Sequence, residues 1–254
     1  MDLNLTNRTA LVTGASAGIG IGIAACLARE GVRLVLAGRN RDALEATAAH
    51  AIALGAPSAA IAVGDIASAE GCNAVTSAAL AAMDGRIDIL VNNAGGSRPL
   101  GQAEETDDFW TEAGALNFAS ARRIAKPLLP AMKANGFGRV INITGALYGK
   151  SINGAGAAKA ALVAWSRAKS FELAPYGVTV NCVAPGRINS VQIRDRLHPT
   201  EASREAYIRE NIPMGRFGEP EELGALVAFL ASPLAGYISG THIPVDGAGV
   251  RIAV

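Results

Sequence analysis

A glycine-rich stretch near the start of the chain has the residue types and spacing of a phosphate-binding turn. Residues 13–20 read Thr-Gly-Ala-Ser-Ala-Gly-Ile-Gly and stand between an apolar run at 9–12 and an amphipathic segment at 21–30. This order predicts a strand, a tight turn and a helix. Glycines let such a turn approach a bound group, and the first N–H groups of the helix favour an anion such as a pyrophosphate. Because glycines also mark ordinary turns, it is the flanking strand and helix that favour a nucleotide site.

Composition and charge narrow the classes of function. The chain has 254 residues, enough for one substantial core, and its formal net charge of +1 gives no overall field for nucleic acid or an anionic membrane. The most apolar run, residues 223–231, is too short to span a bilayer, and residues 1–10 carry no export pattern, so we expect a cytoplasmic protein. The three scattered cysteines favour reduced thiols over disulfides or a zinc site.

Short apolar runs alternate with longer helical patterns along the chain. Because these runs are continuously apolar, they predict strands covered on both faces, as in a parallel sheet wrapped by helices. The predicted strands are residues 9–12, 33–37, 58–63, 87–92, 139–143, 178–183 and 242–245. No linker or repeat interrupts them. We therefore expect one α/β domain over residues 1–254, a doubly wound parallel sheet of about seven strands (a Rossmann fold) in three α/β/α layers, with its ligand crevice beyond the carboxyl ends of the strands.

The segment at residues 188–211 departs from this alternation. It is polar and rich in arginine, and it follows the sixth predicted strand. A long segment of this kind predicts an extra helix or a mobile lid that closes over a substrate.

Together, these motifs resemble those of the short-chain dehydrogenases/reductases, and the resemblance extends over essentially the whole chain. Four segments carry it: residues 13–20 as the cofactor turn, 92–95 (Asn-Asn-Ala-Gly) as the fourth-strand motif, 185–186 (Pro-Gly) as the nicotinamide loop, and Gly240 with 245–247 (Val-Asp-Gly) as the C-terminal signature. Within the family, the chain is most similar to members such as the 3-oxoacyl-(acyl carrier protein) reductases. The resemblance implies a nicotinamide cofactor, interconversion of a carbonyl and an alcohol on a small molecule, and a homotetramer or homodimer.

The resemblance also implies which residues hold the cofactor. They are Gly14, Ser16, Gly18, Ile19 and Gly20 in the turn, Asp65 and Ile66 beside the adenine, Asn92, Ala94 and Gly95 after the fourth strand, Lys159, and Pro185, Gly186 and Ser190 near the nicotinamide. Two of these assignments have simpler alternatives. Asp65 could be a solvated strand end or the N-cap of a helix from residue 69, and residues 92–95 could be only a turn.

The end of the second predicted strand favours NADP(H) over NAD(H). Sites that prefer NAD place an acid there to bind the ribose 2′-hydroxyl. Residues 35–41 read Val-Leu-Ala-Gly-Arg-Asn-Arg and offer none. Arg39, with Arg41 as a second candidate, could instead bind a 2′-phosphate through charge-assisted hydrogen bonds. The alternative is that Arg39 is a surface arginine after a strand.

The catalytic residues are where this sequence differs from the family it resembles. Members usually carry a Tyr four residues before a Lys, so that both side chains share one helix face, and a Ser after the fifth strand. Here Lys159 is present, but Ala155 and Gly145 occupy the Tyr and Ser positions. Asn117 is similar to the Asn that holds a water in the family's proton relay. The simpler alternatives are that Asn117 satisfies helix backbone groups and that Lys159 is a solvated helix lysine.

Other groups could replace the missing proton donor. Tyr148 is the nearest phenol in the sequence and lies in a connection expected to overhang the substrate, although it could also pack on a neighbour. Thr144 offers a hydroxyl, but adjacent strand residues face opposite sides of a sheet. Arg187 could polarise a carbonyl, bind a carboxylate or pair with an acid. His198 and His242 lack partners at catalytic or metal-ligand spacing, so we expect solvated or strand-end histidines and no metal site.

The sequence thus predicts an NADP(H)-dependent oxidoreductase with an atypical active site. Its alternative is a catalytically impaired cofactor-binding pseudoenzyme or regulatory subunit. The identity of the substrate and the direction of the reaction do not follow from these residues.

Overall fold

A computed structural model describes residues 2–96, 105–145, 152–190 and 193–249 of the chain. Its centre is a seven-stranded sheet, in which every neighbouring pair of strands is parallel. In chain order the strands are β1 (Thr9–Thr13), β2 (Arg33–Gly38), β3 (Ala59–Val63), β4 (Ile89–Asn92), β5 (Gly138–Ile143), β6 (Val178–Pro185) and β7 (His242–Val245). They lie in the order β3-β2-β1-β4-β5-β6-β7. The predicted fold class and all seven predicted strands are confirmed, with bounds that shift by at most two residues.

Eight α-helices lie within the described residues. They are α1 (Ile19–Arg29), α2 (Arg41–Ala53), α3 (Ala69–Ala82), α4 (Asp107–Gly114), α5 (Ser120–Ala134), α6 (Gly154–Leu173), α7 (Glu201–Asn211) and α8 (Pro220–Ala231). A π-helix, Ala115–Ala119, joins α4 directly to α5. A second π-helix, Ile193–Leu197, precedes α7, so the region at 188–211 does contain the extra helix that its composition predicts.

The strands are buried on both faces, as their apolar character predicts. One core cluster contains Val12 of β1 with Ile23 of α1 and Val227 of α8. The other contains Leu11 of β1 with Val75 of α3 and Ile124 of α5. Consecutive residues of β1 thus face different cores, which is why the strand shows no polar alternation. Within the described residues, no helix is both long enough and apolar enough to cross a membrane.

The order of the strands fixes where a ligand can bind. The chain moves outward from β1 through β2 to β3, and then returns to the other side of β1 as β4. Helices that follow β1 and β4 therefore leave in opposite directions, and a crevice opens between the carboxyl ends of these two strands. The glycine turn after β1 lies at this crevice.

Candidate active site

The turn after β1 and the start of α1 are so tightly packed that only glycine fits at one position of each. Gly14 has φ +66°, and a Cβ there would lie 2.8 Å from the Cα of Ala94. A Cβ on Gly20 would lie 2.1 Å from the carbonyl oxygen of Gly14. Both approaches are closer than non-bonded atoms allow. The glycines thus bring the turn into contact with the start of α1 and with Ala94, the second residue after β4.

The exposed side of this turn carries backbone donors without partners. The amides of Ser16, Ala17, Gly18 and Ile19 make no hydrogen bond with any residue that the structure describes. Gly18 is the N-cap of α1, with φ +52° and no side-chain cap. Because these N–H groups and the positive end of the helix dipole share one surface, the turn fits a phosphate or pyrophosphate.

Thr13 and Asn93 fasten the glycine turn to the end of β4. The Thr13 hydroxyl oxygen accepts from the backbone amides of Asn93 and Ala94, at 3.1 and 3.0 Å. The Asn93 side-chain amide donates to the carbonyl oxygens of Thr13 and Gly14, each at 3.0 Å. The sequence placed both residues within motifs, and residues 92–95 resembled a segment that braces the sheet beside the cofactor, but neither Thr13 nor Asn93 had a role of its own. The overlooked signal was a hydroxyl at the last position of β1, facing the next motif across the sheet.

The end of β2 presents Arg39 beside the turn. A Cβ on Gly38 would lie 3.3 Å from the hydroxyl oxygen of Ser16, so the two loops touch. Arg39 is exposed, and the described residues place no carboxylate within salt-bridge distance of it. The neighbouring Arg41 lies 3.6 Å from Glu45 on α2. Arg39 is therefore the arginine whose charge is available to a ligand at this corner.

Asp65 and Ile66 follow β3 at the same edge of the sheet. The Asp65 carboxylate accepts from the amide of Ala67 at 3.1 Å, while Ile66 is buried. The N-cap of α3 is Ser68, whose hydroxyl oxygen accepts from Gly71 at 2.9 Å. The alternative in which Asp65 caps this helix is therefore wrong, because Ser68 stands directly before the first helical residue and reaches the orphan amide.

Lys159 lies inside the protein. Its side chain is 7% exposed, and its ammonium donates to the carbonyl oxygen of Ile143 at 2.7 Å. Burial lowers the pKa of Lys159 to about 8, and the nearby thiol of Cys182 opposes this shift. The alternative of a solvated helix lysine is wrong, since α6 turns this position toward the end of β5.

Asn117 lies in the π-helix between α4 and α5, and its side chain is buried. Its amide donates to the carbonyl oxygens of Gly96 and Ala113, and its oxygen accepts from the amide of Gly96, all at 3.1 Å. Only the bond to Ala113 satisfies its own helix, so the simpler alternative describes one of three contacts. A Cβ on Gly95 would lie 2.8 Å from Asn117 Oδ1 and 3.2 Å from Lys159 Nζ. Gly95 thus lies against both polar groups.

Asn92 lies in a buried polar chain rather than at the surface of the crevice. Its side-chain amide donates to Asn142 Oδ1 at 2.8 Å, and Asn142 donates to the Ser166 hydroxyl of α6 at 2.8 Å. Ser166 in turn donates to the carbonyl oxygen of Leu162. This chain links β4, β5 and α6, and so holds the helix of Lys159 in place. Among the described residues, the side-chain oxygen of Asn92 has no partner.

Thr144 and Gly145 directly follow β5. Gly145 has φ +129°, with open space where a Cβ would stand. The Thr144 hydroxyl donates to the carbonyl oxygen of Val183 at 3.2 Å and lies 3.0 Å from Nε2 of His242, the first residue of β7. These contacts direct Thr144 toward β6 and β7. Tyr148 lies outside the described residues.

The loop after β6 comes back to the glycine turn. The amide of Gly186 donates to the carbonyl oxygen of Val245 at 2.9 Å, next to Pro185 at the end of β6. A Cβ on Gly18 would lie 3.1 Å from the Cβ of Ser190. Ser190 therefore borders the exposed donors of the turn. Its own hydroxyl oxygen accepts from the amide of Ile193 at 3.3 Å.

His198 is not the solvated or strand-end histidine that its isolation in the sequence suggested. It is 9% exposed, and its ring packs against Tyr207 of α7 and Phe217, with centroids 4.5 and 5.9 Å apart. The described residues contain no cluster of His, Cys, Asp and Glu side chains that could hold a metal ion.

Comparison with known proteins gives consistent similarities along nearly the whole chain. Residues 14–249 match the family model described as enoyl-(acyl carrier protein) reductase. The chain is 36% identical to the 3-oxoacyl-[acyl-carrier-protein] reductase of Pseudomonas aeruginosa, over 96% of this chain and 98% of that protein. The structure of L-sorbose reductase from Gluconobacter frateurii with NADPH and L-sorbose is similar, with a TM-score of 0.92, 30% identity and 99% of both chains covered. The NADP complex of RhlG from Pseudomonas aeruginosa has a TM-score of 0.88 and 35% identity, over 98% of this chain and 99% of that one.

Proposed function

This chain belongs to the short-chain dehydrogenase/reductase family of oxidoreductases, and we propose that it interconverts a carbonyl and an alcohol on a small molecule with NADP(H) as cofactor. The observation that carries the proposal is the meeting of the glycine turn, Gly95, Asn117 and Lys159 at the carboxyl ends of β1, β4 and β5. The unpartnered amides of the glycine turn, which suit a phosphate, and the buried ammonium of Lys159 thus lie beside the same crevice.

The residues that would hold the cofactor fit it chemically. The free amides of residues 16–19 suit its pyrophosphate, and exposed Arg39 suits a 2′-phosphate. Asp65 and Ile66 lie at the same edge for the adenine, and Pro185, Gly186 and Ser190 border the opposite side of the crevice. That L-sorbose reductase was solved with NADPH and RhlG with NADP supports the preference for the phosphorylated cofactor. When bound, this cofactor supplies or accepts a hydride.

Lys159 and Asn117 would position the reacting groups. At neutral pH the Lys159 ammonium keeps its charge, because its pKa of about 8 lies above 7. It can therefore bind a ribose hydroxyl while its bond to Ile143 fixes its direction. Asn117 holds the backbone of Gly96 and so fixes the strand end on which the substrate would rest.

The proton must come from a group other than the usual phenol, because residue 155 is Ala and residue 145 is Gly. In reduction, the carbonyl carbon gains a hydride, the C=O π bond breaks and the oxygen takes a proton. We assign this proton to Tyr148, the only phenol between β5 and α6, which regains it from solvent. Thr144 is a weaker candidate because its hydroxyl already donates to Val183.

The test is NADPH consumption by the purified protein across a broad panel of ketones and aldehydes. We expect turnover that falls about 10²–10⁴-fold in Tyr148→Phe, with the affinity for NADPH unchanged. Tyr237→Phe removes the hydroxyl of a fully exposed tyrosine and serves as the matched control, which should keep full activity. If Tyr148→Phe keeps full turnover, then Tyr148 is not the proton donor.

A second candidate function is favoured by Gly145 and Ala155, the native residues at the positions where the family usually carries Ser and Tyr. A chain that retains the cofactor residues but lacks the usual proton donor could act as a pseudoenzyme or regulatory subunit that stabilises an active partner. NADPH binding seen by fluorescence, without NADPH consumption on any member of the panel, would favour this alternative. The main proposal also includes a cytoplasmic location and a homotetramer or homodimer. Sedimentation of the purified protein would test the oligomeric state.

A further inference from the structure

Arg187 begins a polar and aromatic cluster between the end of β6 and α7. It directly follows Gly186, and its guanidinium carbon lies 4.9 Å from the ring centroid of Tyr207. Its backbone is fixed by the neighbouring loop, because Arg187 O accepts from the amide of Gly218 at 3.0 Å, and Ile188 forms a parallel bridge with Gly218. The backbone of Arg187 is therefore held beside Gly218, and its side chain lies against Tyr207 of α7, in the segment that the sequence predicts to close over a substrate.

The charge of Arg187 is not neutralised within the described part of the chain. No carboxylate there lies within salt-bridge distance of it, and its Nε is buried without a hydrogen-bond partner. This geometry argues against one of the interpretations that the sequence left open, in which Arg187 pairs with an acid of the protein. A guanidinium N–H that is buried without an acceptor is costly unless a ligand supplies one.

His198 provides a second unsatisfied group in the same cluster. Its Nδ1 lies 3.3 Å from the Ser203 hydroxyl, while its buried Nε2 has no partner among the described residues. Burial and the nearby charges of Arg187 and Arg204 lower the pKa of His198. The imidazole is thus neutral at pH 7, and it offers a polar ring without adding charge.

The other arginine of the cluster is already neutralised. Arg204 pairs with the carboxylate of Glu201 on α7 and donates to the carbonyl oxygen of His198 at 3.1 Å. Among the described side chains of this cluster, the charge of Arg187 is therefore the one that remains uncompensated, and it lies beside the aromatic rings of Tyr207 and Phe217. A single charge matches a monoanion better than a doubly charged phosphate.

We propose that Arg187, with His198 beside it, binds a carboxylate carried by the substrate, so that this enzyme acts on oxo acids or hydroxy acids. The planar guanidinium can donate two parallel hydrogen bonds to such a group, and the aromatic rings exclude water around it. This inference rests on the proposed function for the position of the reacting carbonyl. The binding of the carboxylate itself is independent of turnover.

The direct test measures binding rather than catalysis. The protein, saturated with NADP⁺, is titrated by calorimetry with a series of short straight-chain carboxylates and with the matching primary amides. We expect a carboxylate to bind about 10–100-fold more tightly than its amide, and Arg187→Met to abolish this difference. Arg187→Lys should retain part of it. Arg209→Met removes an exposed arginine of α7, the helix that carries Tyr207, and should leave this difference unchanged.

Other results of the titration would overturn either the carboxylate site or the proposed function. Equal binding of carboxylates and amides by the wild type, or a loss of NADP⁺ affinity in Arg187→Met, would overturn the inference, the latter because Arg187 would then serve the cofactor. Thermal melts of both Arg187 variants show whether they fold. If carboxylates bind selectively but no oxo acid consumes NADPH, the proposed oxidoreductase function fails while the carboxylate site stands.

Discussion

The ammonium of Lys159 lies 2.7 Å from the carbonyl oxygen of Ile143, and this bond joins α6 to the end of β5. Its acceptor is a neutral backbone group rather than a carboxylate. A backbone carbonyl orients a cation but only partly compensates its burial, which is why the pKa of Lys159 falls to about 8. The lysine is thus fixed in direction and still reactive toward a ligand.

Because Lys159 is buried, the free energy of unfolding of the protein should depend on pH. The pKa of Lys159 is lower in the folded state than its ordinary 10.5, so between about pH 8 and 10.5 the unfolded state binds more protons and stability rises with pH. Relative to Lys159→Met, the free energy of unfolding of the wild type should rise by up to about 3 kcal/mol from pH 7.5 to 10.5. Urea denaturation without cofactor measures it. Lys126→Met, at an exposed position of α5, should show no such trend relative to the wild type.

The bonds of Thr13 should be worth more than those of an ordinary buried threonine. Thr13→Val leaves the amides of Asn93 and Ala94 without their acceptor, so we expect a loss of about 2–4 kcal/mol in the free energy of unfolding and weaker NADPH binding. Thr76 is equally buried but only donates to the carbonyl oxygen of Cys72 in its own helix. Thr76→Val should lose less than half as much, and equal losses would contradict the role given to Thr13.

Cofactor preference should depend on Arg39. If it binds the 2′-phosphate, Arg39→Met should weaken NADPH about 10–100-fold and leave the affinity for NADH unchanged. Fluorescence titration with both cofactors measures this. Arg41→Met is the matched control, because Arg41 already pairs with Glu45 and is expected to contribute less. A parallel loss of NADPH and NADH affinity in Arg39→Met would argue for a general structural role instead.

A serine at position 145 should destabilise the protein through its backbone conformation. Gly145 has φ +129°, which side-chain-bearing residues rarely adopt, so Gly145→Ser should destabilise the protein by about 1–3 kcal/mol although its Cβ would meet open space. Gly114 also has open space around a built Cβ, but its φ is −65° at the end of α4. Gly114→Ser should therefore be neutral or slightly stabilising. Similar thermal stability of the two variants would contradict this account.

Local patterns were sufficient to predict most of the fold. The continuous apolar runs gave the seven strands, because a strand buried on both faces leaves no polar position in the sequence. The glycine turn was also predicted from the sequence. The structure shows why its glycines are a reliable signal, because the backbone conformation and close contacts admit no other residue at Gly14 and Gly20. For the same reason, Ser68 could have been recognised as a helix cap, because a serine immediately preceding a helix is a local signal.

The parts that escaped sequence reasoning depend on residues far apart in the chain. Thr144 and His242 lie 98 positions apart in the chain. They meet because β5 and β7 flank β6, so that Thr144 reaches across β6 to the start of β7. The burial of His198 depends on Phe217, which the pairing of Ile188 with Gly218 brings close. No spacing rule predicts such contacts, because each follows from the path of the whole chain.

The π-helix at Ala115–Ala119 carries Asn117 between α4 and α5. A π-helical turn joins residue i to residue i+5, so it holds one residue more than an α-helical turn. Deleting one residue there would restore regular α-helical turns, and the buried stripe of α5, which includes Ile124 and Leu128, would still face the sheet. Asn117 would lose its place instead, because its bonds to Gly96 and Ala113 start from this widened turn.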